Sequence, residues 1–205
     1  MLLVLSCNSN KEKETTVETK EQKPAPIDSL LVTENSWGAI TSTTDLAGLK
    51  KIYGDLPVTD STIMGPEGID TLEVTYIHPG TEKELLIYWK DSLYHKTIGA
   101  IESYQPNAPY KTAQGLKIGS TLKELLEINQ KPITFSGFGW DYGGYIMSYN
   151  KGRLDSSRIN FRLEGDEKLP MGLDGDSDFN TDMPLVTNNL HLIRVYAMTL
   201  NFYGR

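Results

Sequence analysis

The sequence predicts an α+β fold of two tandem modules, each a short helix followed by an antiparallel meander. Three observations support this prediction. A capped helical stripe occurs twice, segments of alternating apolar and polar residues follow each copy, and turn residues separate those segments. Each meander has one apolar face that must be covered, so helices packed on one face of the sheet are the simplest arrangement.

The first module is predicted over residues 34–109. Its helix follows a run of threonine and serine N-cap oxygens and ends near Tyr53, because Gly54 suits the position just past a helix and Pro57 prevents continuation. Alternation then predicts three strands, with Gly99 as a bulge. These strands cover residues 71–76, 84–89 and 97–104.

The second module is predicted over residues 110–205. Thr121 and Glu124 have the spacing of a capping box, and the helix that they begin is expected to end at Asn129. Three strands follow, the first two joined by a hairpin turn at residues 150–152. They cover residues 145–149, 157–163 and 191–200, and residues 164–190 show no regular pattern.

The two helical stripes can be superposed. Leu49 and Leu125 occupy matching positions, so each is expected to face a sheet, whereas Lys50 and Lys123 are expected to be exposed. Trp89 and Tyr149 match in the strands that follow. We interpret this as an internal repeat.

Composition excludes several classes of protein. The net charge of −7 argues against nucleic acid as a partner. No segment reaches the roughly 20 apolar residues that cross a bilayer. The single cysteine, Cys7, excludes an intramolecular disulfide and a cysteine-rich metal site.

The segment Val4–Cys7 resembles a bacterial lipobox, in which the cysteine thiol receives a lipid and the preceding peptide is removed. Residues 1–7 are therefore interpreted as a signal remnant and lipobox, with lipid on Cys7 and localisation to the cell envelope, at the outer membrane. The alternative is a chance apolar run with a buried cysteine. A secretory signal has a basic start and a longer apolar core, so we expect the true start to lie upstream.

Residues 8–33 are predicted to be a disordered tether, since they are polar, highly charged and free of aromatic residues. The Lys11–Glu14 run has two other interpretations. It fits a helical turn with mixed charge pairs, and it resembles surface-export signals of Bacteroidetes lipoproteins.

The spacing of Gly115, Ile118, Gly119 and Thr121-Leu122 before predicted strands resembles the helix–sheet modules of the β-lactamase inhibitor protein and of SmpA/OmlA (BamE-type) lipoproteins. Together with the glycine-rich segment 137–144, it is also similar to uncharacterised Bacteroidetes lipoproteins. The resemblance implies a binding or scaffold role without catalysis, so no catalytic residue and no cofactor are expected. The implied partners are the membrane, through lipid on Cys7, and another envelope protein.

Trp140 and Tyr142 lie among glycines and are candidates for a recognition surface, because exposed aromatic residues dominate binding hot spots. The alternative is structural: the glycines provide turn geometry and the two rings pack on the core. The serines lack a nucleophile-elbow context, and the three histidines share no ligand spacing; His95 is expected at the surface.

Asp174, Asp176 and Asp178 alternate with other residues in a way that resembles a calcium loop. Loop positions 6 and 12 would be Phe179 and Leu185 rather than glycine and glutamate, which favours an acidic surface loop.

Two function classes follow from the sequence: a lipid-anchored binding or scaffold protein, or an envelope-anchored hydrolase with an acidic site assembled from distant residues.

Overall fold

The computed structural model describes residues 28–65, 68 and 70–203, and this part of the chain is mostly β. The strands and helices alternate irregularly along the sequence. They are β1 Leu31–Val32, β2 Ser36–Trp37, β3 Ile40–Thr41, α1 Leu46–Tyr53, β4 Val58–Met64, β5 Thr71–Ile77, β6 Leu85–Trp89, β7 Ile98–Ser103, β8 Lys111–Thr112, α2 Leu122–Asn129, β9 Thr134–Ser136, β10 Ile146–Ser148, β11 Ile159–Gly165, β12 Asp178–Asn180, α3 Pro184–Thr187 and β13 Ile193–Asn201.

The predicted α+β class is wrong. The described residues form thirteen strands in three sheets, and only about 12% of them are helical. The sequence analysis missed seven short or edge strands, which are too brief or too polar to show a period-two pattern. The missed strands are β1, β2, β3, β4, β8, β9 and β12.

The largest sheet has six antiparallel strands in the order β11-β13-β7-β6-β5-β4. Strands β4 to β7 form a consecutive meander, of which β5 to β7 were predicted, and the register shift beside Gly99 confirms the predicted bulge. The last strand, β13, lies between β11 and β7. Both halves of the chain therefore build one sheet, and the predicted tandem arrangement is wrong.

The predicted hairpin at residues 150–152 is also wrong, because β10 pairs with β9 in a separate three-stranded sheet, β10-β9-β12. The side chain of Asn129 at the end of α2 explains the difference. Its Nδ2 donates to the carbonyl of Tyr149 at 2.9 Å and its Oδ1 accepts from the amide of Leu154 at 3.1 Å. These bonds hold the loop after β10 against α2, so the chain does not turn back to pair β11 with β10 as a hairpin.

The third sheet has four short strands in the order β3-β2-β1-β8, with β1 parallel to β8. Leu31 and Val32 form β1, and Val32 is fully buried. The boundary predicted between tether and fold at residue 33 is therefore wrong, because the chain joins the core before that point.

The helix predictions hold in detail for α2. The hydroxyl of Thr121 accepts from the amide of Glu124, whose carboxylate accepts from the Thr121 amide, which confirms the capping box. Asp45 caps α1, accepting from the amide of Gly48 at 2.7 Å, and Gly54 ends that helix with φ 87°. Leu49 and Leu125 are fully buried, as predicted.

The main core lies against one face of the six-stranded sheet. It includes residues from α1, α2 and both smaller sheets, such as Trp37, Ile101 and Phe135. The opposite face of the six-stranded sheet lines a groove. Within the described residues, no helix is long and apolar enough to cross a bilayer.

Candidate functional site

The candidate site is a groove of about 1450 Å³ on the face of the six-stranded sheet that points away from the main core. Six tyrosines line it, together with a small number of charged and amide side chains. The tyrosines are Tyr88, Tyr104, Tyr142, Tyr145, Tyr196 and Tyr203. Such a concentration of amphipathic rings on one concave surface is typical of binding sites, because each ring offers an apolar face and a polar tip.

Strand register explains the floor of the groove. Tyr88 pairs with Ala100, which pairs with Asn201, so these side chains share one face. In the next row, Glu102 pairs with Leu86 on one side and with Thr199 on the other. Side chains alternate along a strand, so the residues between these rows, such as Ile87 and Ile101, point into the core.

A second bulge brings Tyr196 into the groove. The register of β13 against β11 shifts between the pairs Ala197–Arg162 and Val195–Leu163, which leaves Tyr196 without a partner in the ladder. Val195 and Met198 are both buried in the core cluster, so the two residues between them lie on the groove side. Strict alternation would have directed Tyr196 and Ala197 to opposite faces.

The glycine-rich segment 137–144 forms one wall. Gly144 has φ 75°, and a β-carbon there would collide with the carbonyl of Leu163 in β11, so the close approach requires glycine. The Leu163 amide donates to Gly144 at 2.7 Å, and Tyr145 forms an isolated bridge with Arg162. These contacts fix the segment along the edge of the six-stranded sheet.

Arg162 fastens this wall to the sheet. Its Nε donates to the carbonyl of Gly143 and its Nη2 to that of Asp141, each at 2.8 Å. The guanidinium also lies over the ring of Tyr145, 4.5 Å from its centroid, and 6.0 Å from the centroid of Tyr196. The rings and the wall are therefore held in position before any ligand arrives.

Both predicted recognition residues lie in this wall. Trp140 and Tyr142 are 37% and 39% exposed, and their rings meet edge to face with centroids 5.4 Å apart. Trp140 donates its Nε1 hydrogen to Gly137 at 2.9 Å. Tyr142 lines the groove itself. The centroid of its ring lies 6.3 Å from that of Tyr145, so Tyr142 lies between Trp140 and the ring of Tyr145 in a chain of aromatic contacts.

Tyr203 also lines the groove. Its hydroxyl donates to the carbonyl of Trp89 at 3.0 Å, and its ring lies against Gly99 where a β-carbon would otherwise be. Lys90 donates to the carbonyl of Phe202 at 2.6 Å and lies 5.7 Å from the centroid of the Tyr203 ring.

The centre of the groove holds a carboxylate. Glu102 is half-buried, and its Oε2 accepts from the hydroxyl of Tyr88 at 2.8 Å, while its Oε1 accepts from Thr199 at 3.5 Å. Burial, and then the neighbouring charge of Glu102, raise the pKa of Tyr88 well above its ordinary value. Tyr88 therefore stays a neutral donor to the carboxylate at physiological pH.

The candidate calcium ligands are not brought together. Asp174 forms an isolated bridge with Phe138, and Asp178 begins β12. Among residues 28–65, 68 and 70–203, no group of three or more histidine, cysteine, aspartate or glutamate side chains has a geometry that could hold a metal ion. Cys7, the predicted lipidation site, lies outside the described residues.

His95 is not the surface residue that the sequence suggested, because its side chain is only 15% exposed. Its ring stacks on Trp89 with centroids 4.9 Å apart, and its two nitrogens each lie 3.8 Å from a carboxylate, of Asp60 and of Glu73. Trp89 belongs to the core cluster, so the His95 ring packs against the core rather than facing solvent.

Sequence reasoning found the glycine-rich wall and missed Tyr88, Glu102, Arg162 and Tyr196. One signal was available: Glu102 is the sole charged residue in the β7 segment IGAIES, which indicates a strand with one solvent-facing side. Tyr196 had no such signal, because a bulge determines its direction.

No protein-family model matches the chain, and no curated protein sequence matches it. Among solved structures, the chain is similar to the crystal structure of the uncharacterized protein yfeY from Escherichia coli. The two are 14% identical with a TM-score of 0.44, and the match covers 82% of this chain and 97% of that one. A likeness at this level supports no inference about function.

Proposed function

We propose that this protein is a non-catalytic binding module of the cell envelope, anchored by lipid on Cys7, and that the tyrosine-lined groove is its binding surface. The groove is the observation that carries the proposal. It combines aromatic rings that are more than a third exposed, such as Tyr142 and Tyr196, with walls fixed by Arg162 and by the Gly99 bulge.

Preorganisation is what favours binding over a purely structural role. An aromatic side chain that only fills the core would be covered, whereas Tyr145 and Tyr203 are 43% and 57% exposed while their surroundings hold them in place. Rigid rings lose little conformational entropy when a partner covers them, so their apolar area contributes fully to affinity.

Envelope anchoring is supported by the sequence around Cys7. The Val4–Cys7 segment resembles a lipobox, and the folded part is joined to that cysteine through a polar segment. From Cys7 to Asp28 a fully extended chain would reach at most about 75 Å. That reach would let the groove meet a partner some distance from the membrane surface.

Site-specific photo-cross-linking in intact producing cells tests the groove. Benzoylphenylalanine at Tyr142 or Tyr196 is expected to give a discrete cross-linked product, whereas the same group at Tyr94 is not. Tyr94 is 67% exposed and does not line the groove, so it is a matched control for exposure alone. Equal products at all three positions, or none in the groove, would contradict the proposed function.

Metabolic labelling with a fatty acid tests the anchor. The wild-type chain is expected to take up label and to fractionate with membranes, and Cys7→Ala is expected to do neither. Equal labelling of both chains would show that Cys7 is not the site of lipid attachment.

A further inference from the structure

The starting observation is the electrostatic state of Glu102. It lies on β7, an inner strand of the sheet, and its two hydrogen-bond donors are the neutral hydroxyls of Tyr88 and Thr199. Within the described part of the chain, Glu102 makes no ion pair. A half-buried carboxylate thus faces the groove with its negative charge hydrogen-bonded but not neutralised.

The two cations that line the groove do not neutralise it either, because each is occupied elsewhere. Lys90 donates to the carbonyl of Phe202, the residue before Tyr203. Arg162 donates to two backbone carbonyls of the glycine-rich wall and lies over Tyr145. Both cations keep their charge, because the carbonyls are neutral, but neither pairs with Glu102. The described lining carries three carboxylates, of Glu73, Glu102 and Asp141, against these two cations, so the groove has an excess of negative charge.

Resting on the proposed function, we infer that the groove binds a segment of a protein partner through an arginine side chain that pairs with Glu102. A guanidinium meets both parts of the site. It pairs with a carboxylate through two parallel hydrogen bonds, and its flat face stacks on aromatic rings. The rings of Tyr88 and Tyr196 line the same groove as Glu102 and supply such faces.

The size and the charge of the site favour a polypeptide as the occupant. The volume of about 1450 Å³ exceeds the roughly 300–1,000 Å³ of typical small-molecule pockets, so one free amine or amino acid would leave most of it empty. An extended segment would contact both Tyr142 and Tyr203, which line the same groove. The net charge of −7 also favours the approach of a basic partner.

Paired peptide arrays test the inference on the full 205-residue chain carrying Cys7→Ser. Each pair has mixed Gly, Ser, Thr, Val and Leu flanks and one central residue, either arginine or its neutral isostere citrulline. Arginine peptides are expected to bind about tenfold more tightly than their citrulline twins, with the preference weakening at high salt. This contrast is read on the wild-type groove and does not depend on a variant folding.

Two charge-matched variants locate the effect. Glu102→Gln is expected to abolish the arginine preference, leaving both members of a pair with equal affinity. Glu127→Gln removes the same charge from an exposed position on α2 and is expected to leave the preference unchanged. Retention of the preference in Glu102→Gln would overturn the inference.

The remaining outcomes separate this inference from the proposed function. Equal binding of both twins, weakened by Tyr196→Ala, would mean that the groove binds segments without an arginine. Binding of N-acetyl-arginine amide as tightly as the peptides would make a small cation the occupant and overturn the polypeptide assignment. Absence of any peptide binding would also overturn it, whereas the cross-linking experiment alone decides whether the groove is a binding surface.

Discussion

Gly99 and Tyr203 fit together as one unit, with the tyrosine ring occupying the space that a β-carbon on Gly99 would take. Gly99 lies at the bulge between β6 and β7, and Tyr203 follows the last strand of the sheet. Tyr203 is thereby packed against an inner strand of the sheet, about a hundred positions earlier in the sequence.

This contact predicts a non-additive double-mutant cycle. Gly99→Ala is expected to lower the free energy of unfolding by about 1–3 kcal/mol, because the added methyl group displaces the Tyr203 ring. In a Tyr203→Ala background the same change should cost well under half as much. Urea unfolding of the four proteins measures both values, and additivity would show that the contact is not what constrains Gly99.

Burial on the two longer helices predicts a contrast within each. Leu49→Ala and Leu125→Ala remove fully buried side chains and are each expected to cost about 2–5 kcal/mol. Lys50→Ala and Lys123→Ala lie on exposed positions and should change stability by about 0.5 kcal/mol or less. Urea melts of the four variants would contradict the structure if Lys123→Ala were as costly as Leu125→Ala.

The capping box of α2 predicts a specific pH dependence. Hydrogen bonds from the Thr121 amide and hydroxyl lower the pKa of Glu124 in the folded chain. A lowered folded pKa means that the contribution is present above the unfolded value of about 4.3 and is lost as pH falls through the folded value.

Wild type is therefore expected to exceed Glu124→Gln in stability by a few tenths to about 1 kcal/mol at neutral pH, the small size reflecting solvent exposure. The difference should vanish in acid, below the folded pKa. Urea unfolding at neutral and acidic pH measures it, and a difference that persists in acid would exclude the charge as its cause.

The two hydrogen bonds from Arg162 predict that this side chain keeps the glycine-rich wall in a fixed conformation. Arg162→Lys cannot keep both hydrogen bonds to Asp141 and Gly143, so we expect a loss of about 1–2 kcal/mol and faster amide exchange in residues 137–145. Hydrogen–deuterium exchange measures the second effect. Arg153→Lys, at an exposed position, is the control. Equal exchange rates in the two variants would show that Arg162 does not hold the wall in place.

The burial of Val32 predicts where the chain can be shortened. A chain that starts at Asp28 keeps β1 and is expected to retain full stability. A chain that starts at Glu34 loses the buried Val32 and the pairing of β1 with β8, at a cost of about 2 kcal/mol or more. Thermal melts of both would contradict this expectation if the two chains unfolded at the same temperature.

The sequence alone determined the local structure of the chain. Thr121 and Glu124 specify the start of α2, Gly54 specifies the end of α1, and alternation locates strands β5 to β7, because all of these depend on neighbours within a few residues. The sequence also singled out Trp140 and Tyr142, whose glycine neighbours mark an unusual backbone path.

Only the tertiary structure decided how these pieces combine. The placement of β13 beside β7 depends on pairing between residues about a hundred positions apart, which no local pattern encodes. The same pairing puts Glu102 beside Thr199, and the bulge at Tyr196 turns that ring toward Arg162. The groove exists because one long strand joins both halves, and long-range pairing of this kind is decided by the whole core rather than by any segment of the sequence.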